Sequence, residues 1–256
     1  MKREKPRKNT IRKTKQNKKS SMIIHQIFYN IGKGELNDIP VFKKCYNHNK
    51  NYCKKNKIRY KLWSEKDVIK LINKPECKEY KQLYNDFDNH PLGQPIQKID
   101  FARYLILWLF GGIYIDLDIC IIDDKAKVTK IKDLFTKDYF FVRWDTSHLP
   151  YNAILGCKKK QSIYKDILDH CKESFYEKSK QAIYKKWKGR FVFQTTGHYM
   201  IQRVLKKHNI RKKDLLNIMK IQNPQKRSNK ITCHKPPKCP KALFEDANVS
   251  VWYSGK

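Results

Sequence analysis

Residues 98–119 read KIDFARYLILWLFGGIYIDLDI, and this stretch indicates the fold most strongly. The apolar run that follows Arg103 predicts a deeply buried helix. Gly111 and Gly112 then stop the helix and turn the chain into a strand. Asp100 and Arg103 are three residues apart, so they share one face of the helix. A buried Asp–Arg pair is costly unless both partners are hydrogen-bonded, so this pair needs a structural or functional reason.

The strand after the two glycines carries acidic residues at alternate positions. Alternation places Tyr114, Asp116 and Asp118 on one side, and Ile115 and Leu117 on the other side, toward the core. Two carboxylates at the end of a buried strand repel each other unless a divalent cation lies between them. Hard oxygen ligands suit Mg²⁺ or Mn²⁺, and such ions commonly bridge phosphates. We therefore expect a metal–diphosphate site at the end of this strand.

An Asp-x-Asp pair is common by chance, whereas its combination with a buried Asp–Arg helix and a double glycine is rare. This combination resembles the sugar-binding DXD region of glycosyltransferase family thirty-two, the group of the fungal initiating α-1,6-mannosyltransferases. The large clostridial glucosylating toxins share the same core. The family pattern is Asp, then Arg-Tyr three residues on, then Gly-Gly-x-Tyr-x-Asp-x-Asp. This chain matches the pattern at Asp100, Arg103, Tyr104, Gly111, Gly112, Tyr114, Asp116 and Asp118.

Weaker similarities extend the resemblance over roughly residues 23–200. They lie at Ile24–Phe28, Tyr60–Trp63, Asn152–Ile154 and Thr195–Gly197. Phe28 stands where the family commonly has Trp, which preserves stacking but weakens it. His25, Trp63 and Trp108 are assigned to the core rather than to ligand binding.

The resemblance implies a GT-A fold, a UDP- or GDP-sugar donor, Mn²⁺ or Mg²⁺ as cofactor, and transfer with retention of anomeric configuration. It implies that Asp116 and Asp118 bind the metal, which offsets charge on the departing diphosphate. The implied catalytic residues are Asp100, Arg103, Asp116 and Asp118. The implied donor-binding residues are Phe28, which would stack on the base, Asp100, Arg103, Tyr114, Asp116, Ser250 and Trp252.

The C-terminal end departs from the family pattern. Ser250-x-Trp252 resembles the Ser-x-Trp with which the toxins contact metal and phosphate. The toxins have Glu three residues before that Ser, and Ala247 occupies this position here. Asp246 and Asn248 are adjacent but out of register. This departure leaves open a degenerate transferase that retains the fold as a binding module.

Charge supplies an alternative from another functional class. The chain has 57 Lys+Arg and 24 Asp+Glu, a net charge of +33. Residues 1–21 form a basic tail that we expect to be disordered, and residues 22–256 form the GT-A-like domain. The excess is compatible with a nucleic-acid or polyanion-binding protein, or with non-specific polyanion contact through a Lys-rich surface. Against a dedicated site, Lys greatly outnumbers Arg, and bidentate phosphate or guanine contacts favour Arg.

Strand and helix signals alternate along the chain, which predicts a single α/β domain with a mixed central sheet flanked by helices. The acceptor is expected to be a hydroxyl of a protein or glycan. No apolar run reaches the roughly 18–20 residues of a membrane span, and no signal peptide is evident. We therefore expect a soluble cytoplasmic enzyme, in the host cytoplasm if the source is a virus. The eight cysteines form no C-x-x-C pair, which favours thiols in a reducing compartment.

Overall fold

The computed structural model describes residues 22–32, 34–144, 149–221 and 241–247. The basic tail, most of the Pro-rich segment 222–241, and the C-terminal Ser250 and Trp252 lie outside the described residues. The helices with their bounds are α1 (Pro40–Lys55), α2 (Glu65–Ile72), α3 (Lys81–Asn89), α4 (Pro95–Phe110), α5 (Lys125–Leu134), α6 (Ser162–Ser179), α7 (Ile183–Lys186), α8 (Lys188–Thr195) and α9 (His198–Lys207).

The strands build two sheets. In chain order they are β1 (Ile23–Ile27), β2 (Arg59–Trp63), β3 (Gly112–Ile115), β4 (Ile119–Ile121), β5 (Tyr139–Arg143), β6 (Pro150–Cys157), β7 (Met219–Ile221) and β8 (Phe244–Asp246). The central sheet has the order β2-β1-β3-β6-β5. Strand β1 is parallel to β2 and β3, whereas β6 is antiparallel to β3 and β5. The smaller sheet has the order β4-β8-β7.

Both faces of the central sheet are buried. On β3, Ile113 and Ile115 join one hydrophobic core, and Tyr114 between them joins the other. On β6, Ile154 joins the core that contains Ile113, and Leu155 joins the core that contains Tyr114. This is the period of two that a pleated strand imposes. The predicted α/β class, with a mixed central sheet flanked by helices, is confirmed.

The bounds of helix α4 differ slightly from those that the sequence predicts. The apolar run predicts a helix over about 97–110, whereas α4 begins at Pro95. Proline suits the first turn because its missing N–H would be unpaired there anyway. Gln94 and Gln97 complete the start with a reciprocal capping interaction between side chain and backbone. Twelve of the sixteen residues of α4 are buried, so the predicted depth of this helix is confirmed.

The prediction for the cysteines is wrong for one pair. Cys45 on α1 and Cys120 on β4 form a disulfide across 75 residues of sequence. Cys53, Cys77 and Cys157 are buried free thiols, as expected, and so is Cys171. No local spacing signals a pairing between a helix and a strand that are so far apart in sequence, and the bond depends on tertiary packing.

No helix within the described ranges is long and apolar enough to cross a lipid bilayer.

Candidate functional site

The turn between α4 and β3 positions the acidic residues. Gly111 and Gly112 have φ values of 67° and 100°, which side-chain-bearing residues rarely adopt. A Cβ on Gly112 would lie 2.5 Å from the carbonyl oxygen of Ile23, and one on Gly111 would lie 2.6 Å from the amide nitrogen of Lys159. Only glycine therefore lets the chain reverse here and bring β3 directly alongside β1.

A cleft opens where β1, β3 and α4 meet, with an empty volume of about 950 Å³ including its mouth. Part of the lining, which we call the apolar wall, consists of apolar side chains that include Phe28, Phe42 and Phe193. The polar residues of the lining include Asp100, Arg103, Asn152, Asp116 and Asp118. We call Asp100, Arg103 and Asp116, with their neighbours Asn152 and Thr196, the cleft floor.

Asp100 and Arg103 form the buried pair that the sequence predicts. Arg103 Nη2 lies 2.9 Å from Asp100 Oδ1. Asn152 Nδ2 donates to the same oxygen over 3.1 Å, and Thr196 Oγ1 donates to Asp100 Oδ2 over 2.9 Å. Burial raises the pKa of Asp100 to about 6, although Arg103 opposes the shift. Both oxygens of the Asp100 carboxylate therefore have polar partners.

Arg103 also reaches the strand. Its Nη1 donates to the carbonyl oxygen of Asn152 over 2.7 Å and lies 3.5 Å from Asp116 Oδ1. The guanidinium carbon lies 5.0 Å from the centre of the Tyr114 ring. The buried Nε has no acceptor among the described residues. Since buried polar groups are nearly always hydrogen-bonded, this unpaired donor is an exception among the polar groups around Asp100.

Asp116 is held by three neighbours and still faces the cleft. Tyr114 donates its hydroxyl to Asp116 Oδ1 over 2.5 Å, and Gln26 Nε2 donates to the Asp116 carbonyl over 2.9 Å. Burial raises the pKa of Asp116, with Arg103 as the main opposing influence. The side chain is 29% exposed, and Oδ2 accepts no hydrogen bond from the described residues. One carboxylate oxygen therefore remains available to a ligand.

Asp118 lies where the two sheets meet. Its carbonyl accepts a hydrogen bond from the Ala247 amide over 3.0 Å, and Asp118 lines the cleft. Ala247, the position of the toxin glutamate, thus lies directly beside the second aspartate. The neighbouring Asp246 is buried and accepts a hydrogen bond from Tyr151 over 2.7 Å.

The strand that the alternation predicts through Asp118 ends earlier than expected. Strand β3 ends at Ile115, and the Ile119 amide donates to the Asp116 carbonyl over 3.1 Å, which forms a turn. Leu117 is buried, as predicted, and it also contributes to the cleft lining together with Asp116 and Asp118.

Phe28 lies in the cleft wall, as the donor-binding prediction requires. Trp63 and Trp108 are buried, so their assignment to the core is confirmed. His25 is also buried, and its ring is held by Trp63 Nε1 at 3.1 Å and the Gly111 carbonyl at 2.9 Å. Burial lowers the pKa of His25 to about 4, which keeps the ring neutral.

Four residues of the site were not predicted. Asn152 and Thr196 hold Asp100, while Phe193 and His198 line the cleft. The only sequence signals were the short similarities around Asn152 and Thr196, which carried no individual roles.

The donor set is compatible with a divalent cation. Asp116 offers a free carboxylate oxygen, and Asp118 lies two residues away in the same cleft. No group of three potential metal ligands assembles within the described residues. Mg²⁺ in particular is often held by one or two carboxylates, with phosphate oxygens and water completing the coordination. Two carboxylates therefore suffice for an ion that arrives with a diphosphate.

Residues 37–140 match the family model described as a glycosyltransferase sugar-binding region containing a DXD motif. The matched region includes Asp100, Arg103, Asp116 and Asp118. The resemblance indicated by the sequence pattern is thereby confirmed for this part of the chain.

Several curated proteins share parts of the sequence. Inositol phosphoceramide mannosyltransferase 3 of Schizosaccharomyces pombe is 29% identical over 102 residues, which cover 38% of this chain and 24% of that protein. Mannosyl phosphorylinositol ceramide synthase SUR1 of Saccharomyces cerevisiae is 32% identical over 101 residues, or 38% and 22% of the two chains. The uncharacterized glycosyltransferase L373 of Acanthamoeba polyphaga mimivirus is 27% identical over 144 residues, or 56% and 51%. The chain spans about a quarter of the length of these fungal relatives and half that of the viral one.

Among solved structures, the PaToxG glycosyltransferase superposes with a TM-score of 0.44 at 17% identity, covering 73% of this chain and 69% of that one. The UDP-bound glycosyltransferase domain of the YGT toxin gives a TM-score of 0.40 at 11% identity, covering 71% and 56%.

Proposed function

We propose, starting from the DXD-containing sugar-binding region at residues 37–140, that this chain is a GT-A-like glycosyltransferase domain. It transfers a hexose-type sugar from a nucleoside-diphosphate sugar to an acceptor hydroxyl and depends on Mn²⁺ or Mg²⁺. The observation that carries the proposal is the convergence of Asp100, Arg103, Asp116 and Asp118 on one cleft, from a helix and a strand end that two glycines bring together. Catalysis with retention of anomeric configuration follows the resemblance.

Each residue has a role that its contacts support. Asp116 and Asp118 would hold the divalent cation, which when bound supplies positive charge to the diphosphate leaving group. Arg103 holds Asp100 and Asp116 in place through its two terminal nitrogens. Asp100 is oriented by Asn152 and Thr196, which fixes its carboxylate for hydrogen bonds to the donor sugar.

The apolar wall would receive the nucleotide base. Phe28 lies on this wall and offers an aromatic face for stacking. Ser250 and Trp252 stay proposed donor contacts, since they lie outside the described residues. UDP and GDP are both candidate carriers, and mannose joins glucose as a candidate sugar because the named fungal relatives are mannosyltransferases.

A thermal-shift panel tests the proposal. UDP-, GDP- and dTDP-sugars are each added with Mn²⁺ or with EDTA, and the unfolding midpoint is measured. A donor at one hundred times its dissociation constant stabilises the native state by roughly 2.7 kcal/mol. For a chain of this size we expect a rise of about 5–10 °C for one nucleotide, only with metal. Asp118→Asn should abolish the rise, while Asp138→Asn, at an exposed carboxylate outside the cleft, should retain it.

Turnover then separates an active enzyme from a degenerate one. Release of the nucleoside diphosphate from the donor identified by the panel is followed with and without Mn²⁺. Binding without any donor hydrolysis or transfer would favour the binding module. The absence of a shift with every nucleotide would refute the transferase proposal and favour the polyanion-binding alternative.

A further inference from the structure

One segment of the chain carries charge of a single sign. Residues 178–213 contain twelve Lys and Arg and no Asp or Glu, whereas the 156 residues before them, 22–177, contain twenty acidic residues. The segment includes α7, α8 and α9. Elsewhere in the described chain, surface lysines such as Lys55 and Lys158 pair with aspartates. The lysines around α7 have no such partners among the described residues.

The same segment exposes large apolar side chains. Trp187 is 56% exposed and Ile183 is 51% exposed, which makes them the most exposed large apolar residues in the described chain. Their backbone is anchored, because the neighbouring Tyr184 is buried and its ring centre lies 5.6 Å from that of Phe191. Four residue steps separate Ile183 from Trp187, so their Cα atoms lie at most roughly 14 Å apart.

Exposed lysines and an arginine lie next to these two residues in the sequence. We call this set the basic–aromatic surface, and its members are Ile183, Lys185, Lys186, Trp187, Lys188 and Arg190. Interfacial membrane anchors typically combine a tryptophan and an aliphatic residue with several lysines. The basic–aromatic surface has this composition and includes no acidic residue. We propose that the basic–aromatic surface docks on an anionic phospholipid bilayer.

The chemistry favours a bilayer over a nucleic acid. An isoleucine side chain inserts among acyl chains but offers no flat face for a base. Lysine dominates this surface, and it attracts a diffuse anionic headgroup layer as a point charge. Dedicated phosphate recognition would favour bidentate arginines, and the surface contains only Arg190.

The basic–aromatic surface lies close in sequence to residues that line the cleft. Val192 and Phe193 lie on α8 and line the cleft. Trp187 precedes Val192 by five residues, roughly 8 Å along the helix axis. Docking through Trp187 would therefore hold α8, which contributes to the cleft lining, near the headgroup layer.

The experiment is vesicle flotation of the full-length chain at 150 mM salt. Vesicles of phosphatidylcholine alone are compared with vesicles containing 30% phosphatidylserine. Binding is expected only with phosphatidylserine.

The test variants are Lys185→Glu/Lys186→Glu and Ile183→Ser/Trp187→Ser. We expect about thirtyfold weaker binding for the first, since each lysine near an anionic surface contributes roughly fivefold. We expect about tenfold for the second, from the exposed halves of two apolar side chains.

Matched controls come from exposed positions elsewhere on the protein. Helix α2 presents Lys66 and Lys70 to solvent, so Lys66→Glu/Lys70→Glu changes the net charge equally. Ile69 and Tyr139 are 42% and 39% exposed, so Ile69→Ser/Tyr139→Ser removes comparable apolar surface. Both controls should bind phosphatidylserine vesicles within about twofold of the unaltered chain.

The outcomes decide the proposal in either direction. Selective loss in the two test variants supports it, and blue-shifted fluorescence on vesicle addition that disappears with Trp187→Phe supports insertion. Equal losses in test and control variants would show that the overall charge is responsible and would overturn it. Binding of single-stranded poly(U) that is tighter than vesicle binding and lost in the test variants would overturn it in favour of RNA. No nucleotide sugar is present, so failure here is independent of the proposed transferase activity.

Discussion

The cleft floor and the basic–aromatic surface both contain charged side chains, but these charges differ in burial and in pairing. On the cleft floor, Asp100 and Arg103 are buried, and each finds partners from distant segments. On the basic–aromatic surface, the charges are exposed and form no ion pairs with acidic residues in the described part of the chain. Buried charge contributes to folding through its partners, whereas exposed charge contributes little to folding and is screened by salt. The first arrangement suits the orientation of a ligand, and the second suits recruitment of a large anionic surface.

Removal of Arg103 should have the largest effect. Arg103→Met leaves two carboxylates, Asp100 and Asp116, without their shared cation. Loss of one partner from a buried charge pair typically costs about 3–5 kcal/mol of unfolding free energy. Urea unfolding at pH 7 measures the cost. Arg190→Met, at an exposed arginine, should change the unfolding free energy by less than about 0.5 kcal/mol. Equal losses of unfolding free energy in the two variants would show that the two regions do not differ in this respect.

The pH dependence of Asp100 should be the next largest effect. Its native pKa is about 6, above the usual value of 3.8, so the native state retains a proton that the unfolded chain loses. The contribution of Asp100 to stability is therefore full below about pH 4 and declines as the pH rises to about 6. The unfolding free energy of the unaltered chain minus that of Asp100→Asn should fall by up to about 3 kcal/mol between pH 4 and pH 6.5.

This difference isolates Asp100 from His25, whose lowered pKa contributes the opposite slope in the same range. For comparison, Asp138→Asn changes an exposed carboxylate, and its difference from the unaltered chain should stay nearly constant with pH. A flat profile for Asp100→Asn would mean that the attraction to Arg103 cancels the effect of burial on the pKa of this carboxyl.

Charge reversal on the basic–aromatic surface should have the smallest effect on folding. Lys185→Glu/Lys186→Glu reduces self-repulsion in a strongly basic chain, so we expect slight stabilisation, up to about 0.5 kcal/mol, at 20 mM salt. The gain should vanish at 0.5 M salt, where the Debye length is only a few ångströms. Destabilisation by more than 1 kcal/mol would show that these lysines have a structural role in the fold.

The sequence predicted the parts of this molecule that local signals determine. The apolar run of α4 and the double glycine after it are both local features. The convergence of Asp100, Arg103 and the two DXD aspartates was also predictable, because the family pattern includes all four.

The remainder depends on contacts between distant segments. Thr196 reaches Asp100 across 96 residues and Asn152 across 52, and neither residue type indicates such a role by itself. Strands β7 and β8 have three residues each, too few for a recognisable alternation. The strand pattern was continued through residues 116–118, where the chain forms a turn.

The Cys45–Cys120 disulfide closes a covalent ring that contains the whole acidic constellation, since Asp100, Asp116 and Asp118 all lie between its two cysteines. A protease that cuts one peptide bond anywhere between these cysteines therefore leaves a single covalent molecule. Its two pieces would migrate together on a non-reducing gel and separate only after a reductant is added. A nick in that part of the backbone cannot by itself detach α4 or β3 covalently from the rest of the molecule.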